Sequence, residues 1–358
     1  MKTFVDDAEI EAVKKSLEAS PAIAEALGKD WVDENFLTKE ERTKRHPMFW
    51  IFLDQSKSKK MEDWLSTLKT RLPRTKFTKI VNSLKGKRGE NEFYSYIPEI
   101  EVLSYYKKQE KGNFKVEYEP PIPGKTRIGD VKLTIGSIPV FLEVTRLFSS
   151  AEEERISNMI GAVHQKIDAL EGNPFLISFG VKEHFQETDI DPFVRFASHK
   201  IDELRDVSEE SDRKPIRVTF ENKAWLIFLK DVVKHGHVVG DMTPVMRIES
   251  AGRLKNKALE EVKQLPDDQF NVIVLDISQI FAHFDDVEDM FAGQIGVKID
   301  ITTTEATPFR HANGFVEMNQ GKTVGAIIAF KGFDYENRKK YVNLSAKHPF
   351  TDDMVSKI

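Results

Sequence analysis

The stretch Ile128-Gly129-Asp130-Val131-Lys132-Leu133-Thr134-Ile135-Gly136-Ser137-Ile138-Pro139-Val140-Phe141-Leu142-Glu143-Val144-Thr145 holds two runs of strand length around a Gly-Ser turn. Both runs alternate, and side chains on a strand point to opposite faces with period two. Val131, Leu133 and Ile135 share one face, and Asp130, Lys132 and Thr134 share the other. In the second run Val140, Leu142 and Val144 oppose Phe141, Glu143 and Thr145. With Ser137 and Ile138 as the loop, Gly136 faces Pro139, Lys132 faces Glu143 and Asp130 faces Thr145. Both apolar triplets then lie on one side and both carboxylates on the other. Any even shift keeps this match, whereas a one-residue slip destroys it.

Glu143 interrupts an otherwise apolar run, and a carboxylate there is costly to bury unless it is paired or bound to a metal. Two acids on adjacent strands repel each other. A hard divalent cation relieves that repulsion and prefers such oxygen ligands. Held beside phosphate, it can activate water as a nucleophile.

Working outward, Phe114 to Tyr118 is a further alternating strand, ending at Glu119-Pro120-Pro121. Asn91 to Lys108 reads as a helix with Phe93, Ile97, Ile100, Leu103 and Tyr106 as buried positions. Pro98 moves its expected start to near Ile97, because an interior proline costs about 3 kcal/mol. Glu152 to Leu170 has helical spacing, and Phe175 to Phe179 is the next strand. Residues 8–84 read as helical. The C-terminal half is mixed, with strand-length runs Trp225–Leu229, Val272–Ile277 and Val324–Phe330, and a helix from Arg253 to Leu265 stopped by Pro266. The expected organisation is a helical region over 1–84, a core over 85–180 and a mixed α/β region over 181–358, either continuous with the core or separate from it. The fold class is α/β, with a mixed central sheet flanked by helices.

The order of these elements resembles the PD-(D/E)XK nuclease superfamily, the restriction-endonuclease-like fold. The residues that carry the resemblance are Glu99-Ile100-Glu101-Val102-Leu103 on the helix, Ile128-Gly129-Asp130 and Leu142-Glu143-Val144-Thr145. Arg155 to Leu170 stands as the helix that follows. The resemblance covers roughly Glu90 to Phe179 and implies a Mg²⁺-dependent (or Mn²⁺-dependent) nuclease acting on DNA or RNA. It implies Asp130 and Glu143 as metal ligands, with the main-chain carbonyl of Val144, and Glu99 as the helix acid. Glu101 and Glu92 compete for that last position. Gly129 stands where the family has proline, and Thr145 stands where it has the lysine that steadies charge at the phosphate. Lys132, or Lys166 with Gln165 beside it, could supply that charge. Arg146 points away from Glu143. The missing lysine equally suits an inactive nuclease fold kept for binding nucleic acid or protein.

The chain has 358 residues, no cysteine and a formal net charge of -5. Disulfides, thiolate zinc sites and cysteine nucleophiles are excluded, and a reducing cytoplasm fits. No apolar run suggests a membrane span, and the first residues lack the apolar stretch of a signal peptide. Against the overall charge, Lys57 to Arg88 holds 11 Lys or Arg and only Glu62 and Asp63, a net of +9. Such a window either grips backbone phosphates or is a solvated face paired with acidic neighbours. His235-Gly236-His237 near Asp241 has metal-like spacing but reads as a polar turn. No nucleotide-binding glycine loop and no serine-nucleophile elbow occurs.

Overall fold

The computed structural model describes residues 5–38, 45–86, 89–148, 151–170, 175–182, 184–205, 215–230, 238–239, 250–278, 282–299 and 306–358. The His235-Gly236-His237 turn, Asp241, and Lys87 and Arg88 of the basic window lie outside these residues. The chain divides into two compact units. One combines Met1–Phe148 with Ser250–Ile358, and the other is Ser149–Glu249. The expected boundaries at 85 and 180 differ from this division. The core is built from both sides of an insertion, and the C-terminal segment completes its sheet.

The first unit opens with helices α1 (Asp7–Glu18), α2 (Pro21–Leu27), α3 (Lys29–Phe36), α4 (Met48–Leu53), α5 (Gln55–Arg71) and α6 (Arg74–Gly86). Local chemistry sets their ends. Asp6 and Glu9 form a capping box on α1, and the Asp54 carboxylate accepts the Ser56 and Lys57 N–H groups at the start of α5. Helix α7 (Glu90–Gln109) follows. It runs unbroken through Pro98, so the expected start near Ile97 is corrected. The helix buries apolar residues all round, including Phe93, Tyr96, Ile97, Ile100, Val102, Leu103 and Tyr106. Each such burial stabilises by about 1.5–3 kcal/mol, enough together to offset the proline.

Next come β1 (Phe114–Tyr118), β2 (Val131–Ile135) and β3 (Ile138–Arg146), an antiparallel meander. After the second unit the chain returns as α10 (Ser250–Val262) and β8 (Phe270–Asp276), which pairs parallel to β3. Helix α11 (Phe284–Ala292), the ribbon β9 (Ile295–Ile299) with β10 (Ala306–Arg310), strands β11 (Ala326–Phe330) and β12 (Lys339–Val342), and α12 (Asp352–Lys357) complete it. The central sheet has the order β1-β2-β3-β8-β11-β12 and is mixed. On one face Val131, Leu133, Ile135, Val140, Leu142 and Val144 pack against α7 and the N-terminal helices. On the other, Phe141, Ile273, Leu275, Ile327 and Ala329 pack beneath α10 and α11. The expected partition of faces holds, and the carboxylate side is the α10 side.

The register differs from the expected one. Gly136 and Ser137 are the turn, Ile135 pairs with Ile138, and Lys132 faces Phe141 rather than Glu143. Gly136 has φ +68°, a conformation that glycine adopts without strain in a two-residue hairpin turn. The shift is two residues, so the faces survive while every cross-strand partner changes.

The second unit contains α8 (Ala151–Asp168), β4 (Phe175–Val181), α9 (Ile190–Arg205), β5 (Ile216–Phe220), β6 (Ala224–Lys230) and β7 (Val238–Val239). Its sheet runs β5-β6-β4-β7. Ile160, Val163, Ile177, Phe179, Phe193 and Phe228 belong to a core of its own. The helix expected to follow the Glu143 strand therefore belongs here. The helix that crosses between β3 and β8 on the sheet is α10. Among the described residues, no helix is long and apolar enough to cross a membrane.

Candidate functional site

Pairing between β2 and β3 ends at Val131↔Leu142, while β3 continues beside β8 to Arg146↔Asp276. Strand β2 instead stays with β1. The Glu119 N–H donates to the Asp130 carbonyl at 2.9 Å, the Gly129 N–H to Pro120 at 2.9 Å, and Pro121 bridges Ile128. The sheet thus splits at Asp130. Carried one step past Val131, the register sets Asp130 level with Glu143, where Thr145 had been expected. The split exposes a β3 backbone donor, and Asp130 satisfies it: the Val144 N–H donates to Asp130 Oδ2 at 2.7 Å. The Val144 carbonyl leaves the strand on the same edge as its N–H.

The Asp130 and Glu143 carboxyls lie close enough for each to act on the other. Desolvation raises both above the ordinary carboxylate range. For Asp130, the Val144 N–H opposes that rise and Glu261 adds to it. For Glu143, the charges of Asp130, Glu261 and Glu99 add to it, in that order. Each carboxyl therefore opposes ionisation of the other, and desolvation adds to that opposition. Glu143 is 7% exposed, and among the described residues neither acid has an ion pair with lysine or arginine.

The surrounding acids are arranged differently. Glu261, in the last turn of α10, is buried and pairs with Lys257 one turn earlier, Nζ to Oε1 2.6 Å. Glu119 has φ +50°, uncommon for a residue with a side chain, and pairs with Lys79 of α6 at 2.5 Å. Glu99 is half-buried on α7, and its charge acts on Glu143, Tyr96 and Tyr118. Glu101 is committed elsewhere. Its Oε2 and Oε1 accept the Phe333 and Tyr335 N–H groups at 2.9 and 2.8 Å, and burial pushes its carboxyl up to about 8. Glu99 is the α7 acid among the charges that raise the Glu143 carboxyl. Among the described residues, no three Asp, Glu or His side chains form a metal cage by themselves.

The expected basic residues are not brought to the pair. Lys132 is ion-paired with Glu117 on β1. Lys166 lies in the second unit and pairs with Asp191. Lys257, Glu261, Glu119 and Lys79 were missed, although the helix holding Lys257 and Glu261 was legible. Their spacing of four is an ordinary helix ion pair, and nothing local marks it as facing Asp130.

The basic window is largely occupied by the protein itself. Lys57 pairs with Asp54 at 3.1 Å and Lys69 with Glu25 at 2.6 Å. Lys85 donates to the Leu27 carbonyl at 2.9 Å, while Lys60 and Lys76 donate to the carbonyls of Phe333 and Tyr118. Lys59, Arg71 and Arg74 remain exposed. Through Lys76 and Lys79, α6 lies against the end of β1 that leads to Asp130.

Away from the pair, Arg146 and Asp276 close the ends of β3 and β8. Arg146 Nε lies 3.3 Å from Asp276 Oδ2. Its Nη1 donates to the Tyr94 carbonyl at 2.9 Å and its Nη2 to Ser278 Oγ at 2.7 Å. Asp276 also accepts the Ser278 and Gly332 N–H groups at 2.9 and 3.0 Å. With both Nη groups hydrogen-bonded and Nε in ion-pair contact with Asp276, this is a structural lock.

No family model, curated protein or solved structure matches this chain.

Proposed function

We propose that this protein is a Mg²⁺-dependent nuclease of restriction-endonuclease-like design, hydrolysing phosphodiester bonds of DNA or RNA. The observation that carries the reading is the desolvated Asp130–Glu143 pair at the split between β2 and β3. Two desolvated carboxyls without a lysine or arginine partner among the described residues are a cost in the free protein, and strongly perturbed acids in such a place mark functional sites. The order α7, β1, β2, β3, α10, β8, with β8 parallel to β3, supports the likeness to the PD-(D/E)XK fold once the insertion is set aside.

The donor set fits Mg²⁺ better than Ca²⁺. Mg²⁺ binds through one or two carboxylates and keeps several waters, whereas Ca²⁺ takes six to eight oxygens. Asp130, Glu143 and the Val144 carbonyl would hold the ion, and Glu99 would add negative charge from the α7 side. Bound there, Mg²⁺ would supply Lewis acidity toward a phosphate oxygen and make water a better nucleophile. The Val144 N–H fixes one oxygen of Asp130. The split in the sheet leaves the Val144 edge unpaired by β2. Lys257 replaces Lys132 and Lys166 in this proposal as the cation that offsets charge on the phosphate. Exposed Arg71 and Arg74, beside Lys79, would hold the backbone without reading sequence.

The direct test is cleavage of single- and double-stranded DNA and RNA with Mg²⁺ or Mn²⁺, run beside Asp130→Ala and Glu143→Ala. Activity that survives in both variants sinks the proposal. A second reading, a nuclease fold kept only for binding nucleic acid or protein, is favoured by Thr145, which brings no charge to β3. Nucleic-acid affinity without any metal-dependent cleavage selects it.

Two further results are expected. Lys257→Met lowers kcat by about 100-fold, the scale of one lost charge-stabilising group, and Lys257→Arg restores part of it. Mg²⁺ binding stays the same or tightens, because a cation near the acids is gone. Titration calorimetry and single-turnover rates separate the two effects. Weakened Mg²⁺ binding with unchanged kcat contradicts the assignment.

The second concerns pH. Folded-state values raised above the unfolded ones mean stability that is full below the ordinary carboxylate range and lost as pH rises through the folded values. The metal-free protein should therefore lose stability from mildly acid to mildly alkaline buffer. Mg²⁺ takes the place of the proton, so its stabilising effect should grow over the same range. Thermal melts with and without Mg²⁺ measure this. A metal effect equal at both pH values, or one that persists in Glu143→Gln, counts against the site.

A further inference from the structure

The chain between β1 and β2 is built as an arm. Residues 119–130 extend the hairpin with their own cross-bonds: Glu119 N–H to the Asp130 carbonyl at 2.9 Å, Gly129 N–H to Pro120 at 2.9 Å and Ile122 N–H to Arg127 at 3.2 Å. At the tip, Lys125 N–H closes a turn on the Ile122 carbonyl at 3.1 Å, with Gly124 at φ +76°. These bonds make the arm stiff. Its backbone pairing to the body is slight by comparison. Strand β3 pairs with β2 only up to Val131, and Pro120, Pro121 and Pro123 have no N–H to offer a neighbour.

Ile122 is buried, at 3% exposure, and the polar tie between the tip and the body, among the described residues, is one side chain. Lys125 Nζ donates to the Lys263 carbonyl at 2.9 Å and to the Leu265 carbonyl. Both belong to the turn that ends α10, just after Glu261. A cation there satisfies carbonyls that have no partner within the helix. The arm thus starts at Asp130, beside the acid pair, and is fastened next to Glu261, whose charge acts on both members of the pair. Its root holds Glu119 in the left-handed region, tied to α6 through Lys79. Thr126, Arg127 and Ile128 are exposed, with Ile128 at 56%.

We propose that residues 119–130 form a flap over the Asp130–Glu143 site, latched by Lys125 and released by a polyanionic substrate. The inference rests on the nuclease reading for its substrate. The physical argument is exchange of partners. In the closed state Lys125 is bonded to neutral carbonyls. A phosphate backbone offers Lys125 and neighbouring Arg127 an opposite charge, so an ion pair takes the place of a bond between an ammonium and neutral carbonyls. Contact with a nucleic-acid strand therefore favours the open arm, and opening uncovers the acids when the strand arrives. The stiff arm moves as a body about Glu119 and Asp130.

Hydrogen exchange of the full chain tests the flap, comparing wild type, Lys125→Ala and Lys125→Arg. Lys125→Ala should raise exchange over residues 119–130 by about tenfold, the effect of losing one modest latch. Exchange in β8 should not change, and Lys125→Arg should resemble wild type. The association rate of Tb³⁺, used as a luminescent probe of the acid pair, should rise by a similar factor in Lys125→Ala. Exchange unchanged over 119–130, or raised equally in β8, overturns the flap. An unchanged Tb³⁺ association rate overturns it as well. If Tb³⁺ does not bind wild type at all, the cation site itself fails, and the exchange comparison still decides whether the arm is latched.

Discussion

Glu143→Gln is expected to abolish Mg²⁺-dependent cleavage and, in the same protein, to raise the metal-free melting temperature. The two effects have one cause. Glu143 is 7% exposed, and the charges of Asp130, Glu261 and Glu99 act on it. Near neutral pH the free protein must either keep a proton on the pair or tolerate two adjacent negative charges. Glutamine removes one charge and keeps the shape and a hydrogen-bonding partner for Asp130. Each unit of pKa displacement is worth about 1.4 kcal/mol, so relief on the order of 1–2 kcal/mol is a conservative expectation. That is a rise of roughly 2–8 °C for a unit of this size. Activity moves the other way, by about 1,000-fold or more, because one of only two carboxylate ligands is lost. Melting in chelator and cleavage in Mg²⁺ measure both. A protein that becomes inactive and less stable would show that Glu143 serves the fold, and one that stays active would remove the site altogether.

Arg146→Ala should give the largest loss of stability. Arg146 and Asp276 are 6% and 0% exposed, so neither charge has water to fall back on. Removing the guanidinium strands Asp276 in the interior and also frees the Tyr94 carbonyl and Ser278 Oγ. Breaking a buried pair from one side costs about 3–5 kcal/mol, a large part of the roughly 5–15 kcal/mol that holds a typical domain folded. Burial already raises the Asp276 carboxyl, and the Arg146 charge opposes that rise. Without Arg146 the acid should therefore hold its proton to higher pH, and the variant's deficit should shrink in acid. The double variant Arg146→Met/Asp276→Asn should recover at least half the loss, because no uncompensated charge remains. Denaturant melts of the single and double variants provide the measurement. A single-variant loss below about 1 kcal/mol would mean that water reaches the pair.

Much of the fold could be read along the chain. Strand runs around Val116, Leu133, Leu142, Val274 and Ile328 announced themselves by alternation or by continuous apolar character, and the parity of the first hairpin put Asp130 and Glu143 on one side. Pro98 misled, because local cost argued for a break while burial on all sides of α7 overrode it. The register failed by two residues for a simple reason. Gly136-Ser137 and Ser137-Ile138 are both plausible turns, and pattern alone cannot rank even shifts. That small error moved Lys132 from Glu143 to Phe141 and hid the contact between Asp130 and Glu143.

The basic residue was misplaced for a longer-range reason. Arg155 to Leu170 follows the Glu143 strand in sequence and has a proper apolar stripe, so it looked like the covering helix. The insertion of Ser149–Glu249 makes α10 the helix that lies on the sheet, and with it come Lys257 and Glu261. Alternation and helical periodicity are local quantities, fixed by a few neighbouring residues, and the sequence states them directly. It therefore determined β1, β2, β3, β8 and β11 and the faces of the first hairpin, with Asp130 and Glu143 on one side, but not β5, β9, β10 or β12. Which helix covers those acids, which lysines neutralise their neighbours and where the sheet splits depend on contacts between residues far apart in the chain. Those choices are made by the fit of whole apolar faces and by the balance of buried charge, and only the folded molecule decides them.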